Sequence, residues 1–196
     1  MTSKEKNLSL ENKLTYEAMV LKNLLDYGID IVNRSISLTG EVDDDMFTTL
    51  DLGMSYMEKE SKKAITVKIS SFGGCIHSCF SIVGRIRDSK CTVHTKGYGK
   101  IMSSATLILA SGTGKRSISQ YARYMWHEIS YGLLHDRHSM NKHEVKVADE
   151  DWALFCQHME SFSNTDAKFW KKKGEIKDWY VPLDELVELG AVDEVF

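Results

Sequence analysis

Twice along this chain a short β-rich run gives way, through glycines, to an apolar pattern at helical spacing, and that repeat narrows the fold more than any other feature. Ala64 to Ile69 leads through Ser70-Ser71-Phe72-Gly73-Gly74 into Ile76, Phe80, Val83 and Ile86. Cys91 to Thr95 leads through Gly97-Tyr98-Gly99-Lys100-Ile101-Met102 into Ser103-Ser104-Ala105-Thr106-Leu107-Ile108-Leu109-Ala110. Strand, glycine turn and helix are the parts of a crossover unit, so the chain reads as an α/β domain. Further strands are expected at Ser35 to Leu38, Lys115 to Ile118 and Arg123 to Trp126. Between the first two strands, Asp43 and Asp44 suit the cap of a helix whose Phe47, Leu50, Met54 and Met57 form one apolar face.

A chain of 196 residues with 42% hydrophobic content can bury one ordinary core. It has a single proline, Pro182, and no low-complexity tract to act as a linker. A net charge of −3 lacks the basic excess that phosphate backbones select, so nucleic acid is not an expected partner. Met1 to Asn7 has no apolar signal-peptide core, and no segment offers about 18 uninterrupted apolar residues, so no membrane partner and a cytoplasmic location are expected. Cys75, Cys79, Cys91 and Cys156 form no CxxC pair and are expected as reduced thiols. On a helix, Cys75 and Cys79 share a face that His77 leaves, so this trio does not converge on a metal; neither metal nor cofactor is expected.

Ser103 stands where the second glycine turn becomes a helix. Amides at a helix start lack intrahelical acceptors and face whatever negative charge develops nearby, which suits a nucleophile beside an oxyanion hole. A plain serine cap is the commoner reason for a serine at such a place.

Gly99-Lys100-Ile101-Met102-Ser103-Ser104-Ala105, then Leu107-Ile108-Leu109-Ala110-Ser111-Gly112 and Gly114-Lys115-Arg116, resembles the nucleophile region of the ClpP family of serine peptidases. The family spacing of nine residues back from Gly112 selects Ser103 over Ser104. Arg123-Tyr124-Met125-Trp126-His127 is similar to the strand that ends in the family's catalytic histidine. Asp178-Trp179-Tyr180-Val181-Pro182, with Glu185, Gly190, Val192 and Asp193 beyond it, resembles the ending that carries the family's aspartate. Upstream, Arg34 to Val42 resembles the first strand with its L-T-G-x-V turn, and Ile69 to Gly74 resembles I-N-S-P-G-G. Five motifs in family order cover Arg34 to Phe196.

The resemblance implies a ClpP/crotonase-like fold of repeated β-β-α units with a long protruding handle helix. It implies a triad in which Ser103 attacks, His127 is general base and Asp178 orients His127, with the amides of Gly74 and Ser104 as oxyanion hole. The apolar stripe Val145, Ala148, Trp152, Phe155, Met159 and Phe162 is expected to form the handle as one helix over about 141–172. Pattern alone leaves open whether that stripe faces a partner or the chain's own core. Residues 1–33, with a helix over Leu8 to Tyr27, form a divergent segment ahead of a peptidase domain at 34–196. The implied partners are further copies in stacked heptameric rings, unfolded polypeptide substrates and an AAA+ unfoldase that uses the ATP. A specialised self-assembling processing peptidase, such as a virus-encoded relative working without an unfoldase, is a second reading. An inactive ring subunit or a crotonase-like acyl-CoA enzyme is a third, against which the intact Ser103, His127 and Asp178 count. The chain departs from the family pattern at Phe72, Lys100, Ile101, Met102, Ala105, Glu128-Ile129 and Pro182.

Overall fold

The computed structural model describes residues 15, 18–22, 24–130 and 138–196. Strand β1 (Ile29–Asp30) pairs antiparallel with β2 (Ser35–Val42). Helix α1 (Asp44–Glu60) carries the chain to β3 (Ile65–Gly74), α2 (Ile76–Arg87) carries it to β4 (Val93–Met102), and α3 (Ser104–Ala110) to β5 (Arg116–Ile118). β2, β3, β4 and β5 are successive parallel neighbours. β6 (Arg123–Trp126) also pairs parallel with β4, β7 (Trp179–Val181) pairs antiparallel with β6, and β8 (Glu194–Val195) lies beside β5. The mixed sheet agrees with the expected α/β architecture.

Strand β4 forks. Its Thr95–Gly97 stretch pairs with β5, and its Lys100–Met102 stretch pairs with β6. Across the fork the register with β3 slips, from Ile69 opposite Gly97 to Ser71 opposite Ile101. Gly99 sits at this bulge with φ 56°, a conformation that costs glycine nothing.

The helices cover the sheet with faces close to those expected. Asp43 caps α1, its Oδ1 accepting from Met46 N–H at 2.8 Å. The buried face of α1 is Met46, Leu50, Met54 and Met57, with Phe47 only partly covered. α2 buries Cys79, Ile82, Val83 and Ile86, while Phe80 reaches out to Phe155 at 6.4 Å between ring centroids. Every residue of α3 is buried, including the polar Ser104 and Thr106. The Arg34 guanidinium collects the carbonyls of Met57, Ser61, Lys63 and Ala64, which ties the end of α1 to the start of β3.

The single helix expected over 141–172 is instead two, α4 (His138–Ser161) and α5 (Ala167–Ile176). Residues 162–166 read Phe-Ser-Asn-Thr-Asp, a run of weak helix formers, and the Asp166 carboxylate restarts the helix by accepting from Phe169 N–H at 2.8 Å. The break folds α5 back so that Trp170 reaches the end of β6. There Trp126 lies 4.9 Å from Trp170, 5.0 Å from Phe155 and 5.5 Å from Trp152. Trp126 Nε1 donates to Trp170 O and Trp170 Nε1 donates to Ser163 Oγ, each at 2.9 Å. The stripe Ala148, Trp152, Phe155 and Met159 is therefore buried within this chain. Gly174, expected past the helix end, is inside α5, because an added Cβ there would stand 2.7 Å from the Trp152 ring.

Ahead of Arg34, Leu24 and Ile29 belong to the common core and β1 extends the sheet. Of the helix expected over Leu8 to Tyr27, residues 15, 18–22 and 24–26 are helical and the remainder lies outside the described residues apart from Tyr27, which is in a turn.

Two distant motifs prove to be one lock. Arg116 Nη2 and Nε contact Asp193 Oδ1 at 2.5 and 3.2 Å, and the backbone N–H of Arg116 donates to Asp193 Oδ2 at 2.7 Å. The same guanidinium donates to Phe162 O just past α4, so it also caps the helix break. Burial alone would raise the Asp193 carboxyl, but the hydrogen bonds from Arg116 outweigh it and hold the group below its ordinary value. A depressed carboxylate stabilises the fold above its unfolded pKa, about 3.9, and that contribution fades as pH falls through the folded value. Asp193→Asn is expected to cost about 1–2 kcal/mol at neutral pH, a modest figure because the Asp193 side chain is 38% exposed and screened by water. Urea melts of wild type and variant should converge as pH drops below about 3.9; a pH-independent gap would contradict the assignment.

Candidate active site

Ser103 is reached at the end of the forked strand, where β4 must stop and α3 begin. It adopts φ 54° and ψ −131°, a region in which a residue with a Cβ is strained by about 1–3 kcal/mol. Its N–H donates to Met125 O at 2.9 Å, so the serine is pinned to β6. Its carbonyl accepts from Thr106 N–H at 3.0 Å and from the Thr106 hydroxyl at 2.5 Å. The Ser103 side chain makes no capping bond to α3, which removes the plain-cap reading and leaves the hydroxyl for other work.

The first glycine turn is built against this serine. A Cβ on Gly73 would fall 2.5 Å from Ser103 Cβ and 3.0 Å from Ser103 Oγ, and Gly73 has φ 98°, so only glycine can pass here. Ser71 holds the turn by accepting from Gly73 N–H at 3.0 Å while donating to Gly40 O at 2.6 Å. The L-T-G turn of β2 and the glycine turn of β3 are thereby joined. Beyond them Ser104 Oγ donates to Gly74 O at 3.4 Å, which draws the two candidate oxyanion residues together. As the first residue of α3, Ser104 carries an N–H that no intrahelical carbonyl can accept.

His127 follows β6, directly after the buried Trp126. Strand alternation turns it away from the tryptophan cluster, and it lines a cavity of about 740 Å³ together with Ser103, Ser104 and Gly74. Four sequence-derived candidates from three separate motifs thus share one cavity. Asp178 comes in differently. Trp126 pairs with Trp179 as the last pair of the antiparallel ladder of β6 and β7, and His127 and Asp178 are the residues just beyond that pair. Asp178 is exposed and does not line the cavity, and among the described residues no hydrogen bond joins Ser103, His127 and Asp178.

Sequence reasoning missed the far wall, which α4 supplies through Val147, Asp151 and Phe155, and it missed Glu41 at the rim. The signal for that wall was the apolar stripe of α4, whose identity as cavity lining depends on how the helix docks. It also treated Phe72 and Lys100 as unrelated departures, whereas Lys100 Nζ lies 3.8 Å above the Phe72 ring and each accounts for the other. Cys75 lines the cavity as an exposed thiol, and hydrogen bonds from the Ser78 hydroxyl and then the Ser78 N–H hold it below the usual thiol range. The Ser78 hydroxyl is shared with Asp44 Oδ1 at 2.7 Å, so this effect on Cys75 is partial.

The sequence model described as Clp protease matches residues 24–196 of the chain. Among solved structures the fold is similar to that of a ClpP1 mutant from Listeria monocytogenes, with a TM-score of 0.77 and 19% identity, covering 90% of this chain and 95% of that one. At that identity the likeness speaks for the fold.

Because Gly73 is shaped to Ser103, Gly73→Ala is expected to slow modification of Ser103 by a fluorophosphonate roughly a hundredfold, as misplacing a reacting group by about 1 Å does. Mass-spectrometric labelling rates check this, and an unchanged rate would show that the contact does not hold the serine in place.

Proposed function

The chain belongs to the Clp protease family, and from that premise we propose that it is a serine endopeptidase with Ser103 as nucleophile, His127 as general base and Asp178 as the group that orients His127. The observation that carries this reading is Ser103 itself: a strained serine, uncommitted to its helix, opening into the cavity that His127, Gly74 and Ser104 also line.

The chemistry follows from that arrangement. A serine hydroxyl attacks a peptide carbonyl poorly unless an imidazole takes its proton during attack. His127 takes that proton, and the carbonyl oxygen gains the negative charge as the C–O bond to Ser103 forms. The amides of Ser104 and Gly74 receive the charge, stabilisation that pays off only in the transition state. His127 then gives its proton to the departing amine as the C–N bond breaks. Water, activated by the same imidazole, hydrolyses the acyl-serine and restores the hydroxyl. Asp178 holds the imidazole in the tautomer that offers its bare nitrogen to Ser103 and stabilises the transient cation. Both residues stand just beyond the Trp126–Trp179 pair of β6 and β7, which supports this pairing.

The substrates on this reading are unfolded polypeptides, cut inside a chamber of stacked heptameric rings of this subunit. A Clp-type AAA+ unfoldase delivers them and spends the ATP; the subunit itself uses no cofactor.

A fluorophosphonate should label the assembled protein at Ser103, and Ser103→Ala should abolish that labelling even though Cys75 remains. His127→Ala and Asp178→Asn should each slow peptide hydrolysis by roughly 10³–10⁴-fold. Absence of labelling on the wild-type assembly would end the peptidase reading. Degradation of an unfolded protein only with unfoldase and ATP separates the delivered mode from a self-sufficient processing peptidase, and native mass measurement tests the rings.

A further inference from the structure

The cavity beside Ser103 has a charge pattern that the triad does not use. Among the described residues, the carboxylates of Glu41, Glu144 and Asp151 line it and no lysine or arginine does. The remaining ionisable walls are imidazoles and the Cys75 thiol. Two of the acids come from unrelated elements. Glu41 projects from β2 with its stem against Gly74, since a Cβ on that glycine would lie 2.8 Å from Glu41 Cγ. Asp151 projects from α4, and its Oδ2 lies 3.3 Å from Nε2 of His77 on α2. Both line the cavity, and the Asp151 side chain is the more covered, 20% exposed against 71% for His77. Between the acids the surface is apolar, formed by Ile76, Ile129, Val147 and Phe155.

We infer that this cavity is a specificity pocket for a lysine or arginine side chain next to the scissile bond. The inference rests on the serine-peptidase reading of Ser103 and adds the substrate class to it. A long cationic side chain covers an apolar floor with its methylenes and delivers its charge to carboxylates at the wall. An aliphatic side chain satisfies the floor but takes water from Asp151 and Glu41 without replacing it. An acidic side chain meets carboxylates of like charge and is repelled. The pocket thus selects by repulsion as well as by attraction.

The test uses the full-length assembled protein and three peptide esters that differ only before the scissile bond, in lysine, norleucine or glutamate. Norleucine keeps the lysine stem and removes the cation. The lysine ester is expected to exceed norleucine in kcat/KM by about three- to tenfold, the range of one partly screened ion pair, with glutamate below both. Raising the salt to about 1 M should shrink the lysine-to-norleucine ratio. Asp151→Asn and Glu41→Gln should each move that ratio toward one, and Asp151→Lys should raise glutamate relative to lysine. The two positions lie on different elements, so misfolding of the variants at one leaves the other to decide. Fluorophosphonate labelling of Ser103 is measured on the same preparation. Labelling with norleucine equal to or better than lysine overturns the pocket assignment alone; no labelling overturns it together with the peptidase reading.

Discussion

The fork in β4 is the constraint on which the rest of the site depends. One strand cannot keep two neighbours on the same side along its whole length, so β4 gives Thr95–Gly97 to β5 and, after the bulge at Gly99, Lys100–Met102 to β6. The second pairing carries Ser103 into contact with Met125 at the end of the sheet. At that point Gly73 of β3 lies on one side of the serine and the exit of β6 toward His127 on the other. A straight β4 paired only with β5 would bring no histidine near.

The fork is held open by packing on the far side of β6. Trp126 buries its ring among Trp152, Phe155 and Trp170, so the residue before His127 is anchored by aromatic contacts from both α4 and α5. Losing a buried tryptophan of this kind costs about 3–5 kcal/mol, a large part of the stability of a domain this size. The helix break between α4 and α5 is what lets both contribute, and Arg116 caps that break while binding Asp193. Site and scaffold therefore share residues. The start of β5 and the segment that precedes β8 are joined through the same guanidinium that ends α4.

Much of this was legible in the residues. The strands around Ala64, Cys91, Lys115 and Arg123 and the helices after Asp43 and Gly74 announce themselves through β-rich runs, caps and apolar spacing, all of which act over a few residues. The candidates Ser103, His127, Gly74 and Ser104 could be named from motifs, and the cavity holds all four. The errors have long-range causes. The continuous stripe from Val145 to Phe162 hid a helix break, because periodicity reports burial and says nothing of Ser163 accepting a bond from Trp170. Gly174 read as a helix end but is a point of close approach to Trp152. Leu24 and Ile29 lie ahead of the recognisable motifs, yet they fill the same core. Phe72 and Lys100 looked like independent departures until the β3–β4 register set one over the other.

By itself, then, the sequence determined the α/β alternation, since turn glycines and caps are local matters of backbone freedom and unpaired amides, and its family motifs named the candidate residues. Only the tertiary structure decided how those groups meet. The fork of β4, the pairing of Trp126 with Trp179 across β6 and β7, and the cavity walled by α4 all join residues far apart in the chain. Such contacts are chosen by burial and register over the whole fold, and no local pattern encodes which distant partner will be there.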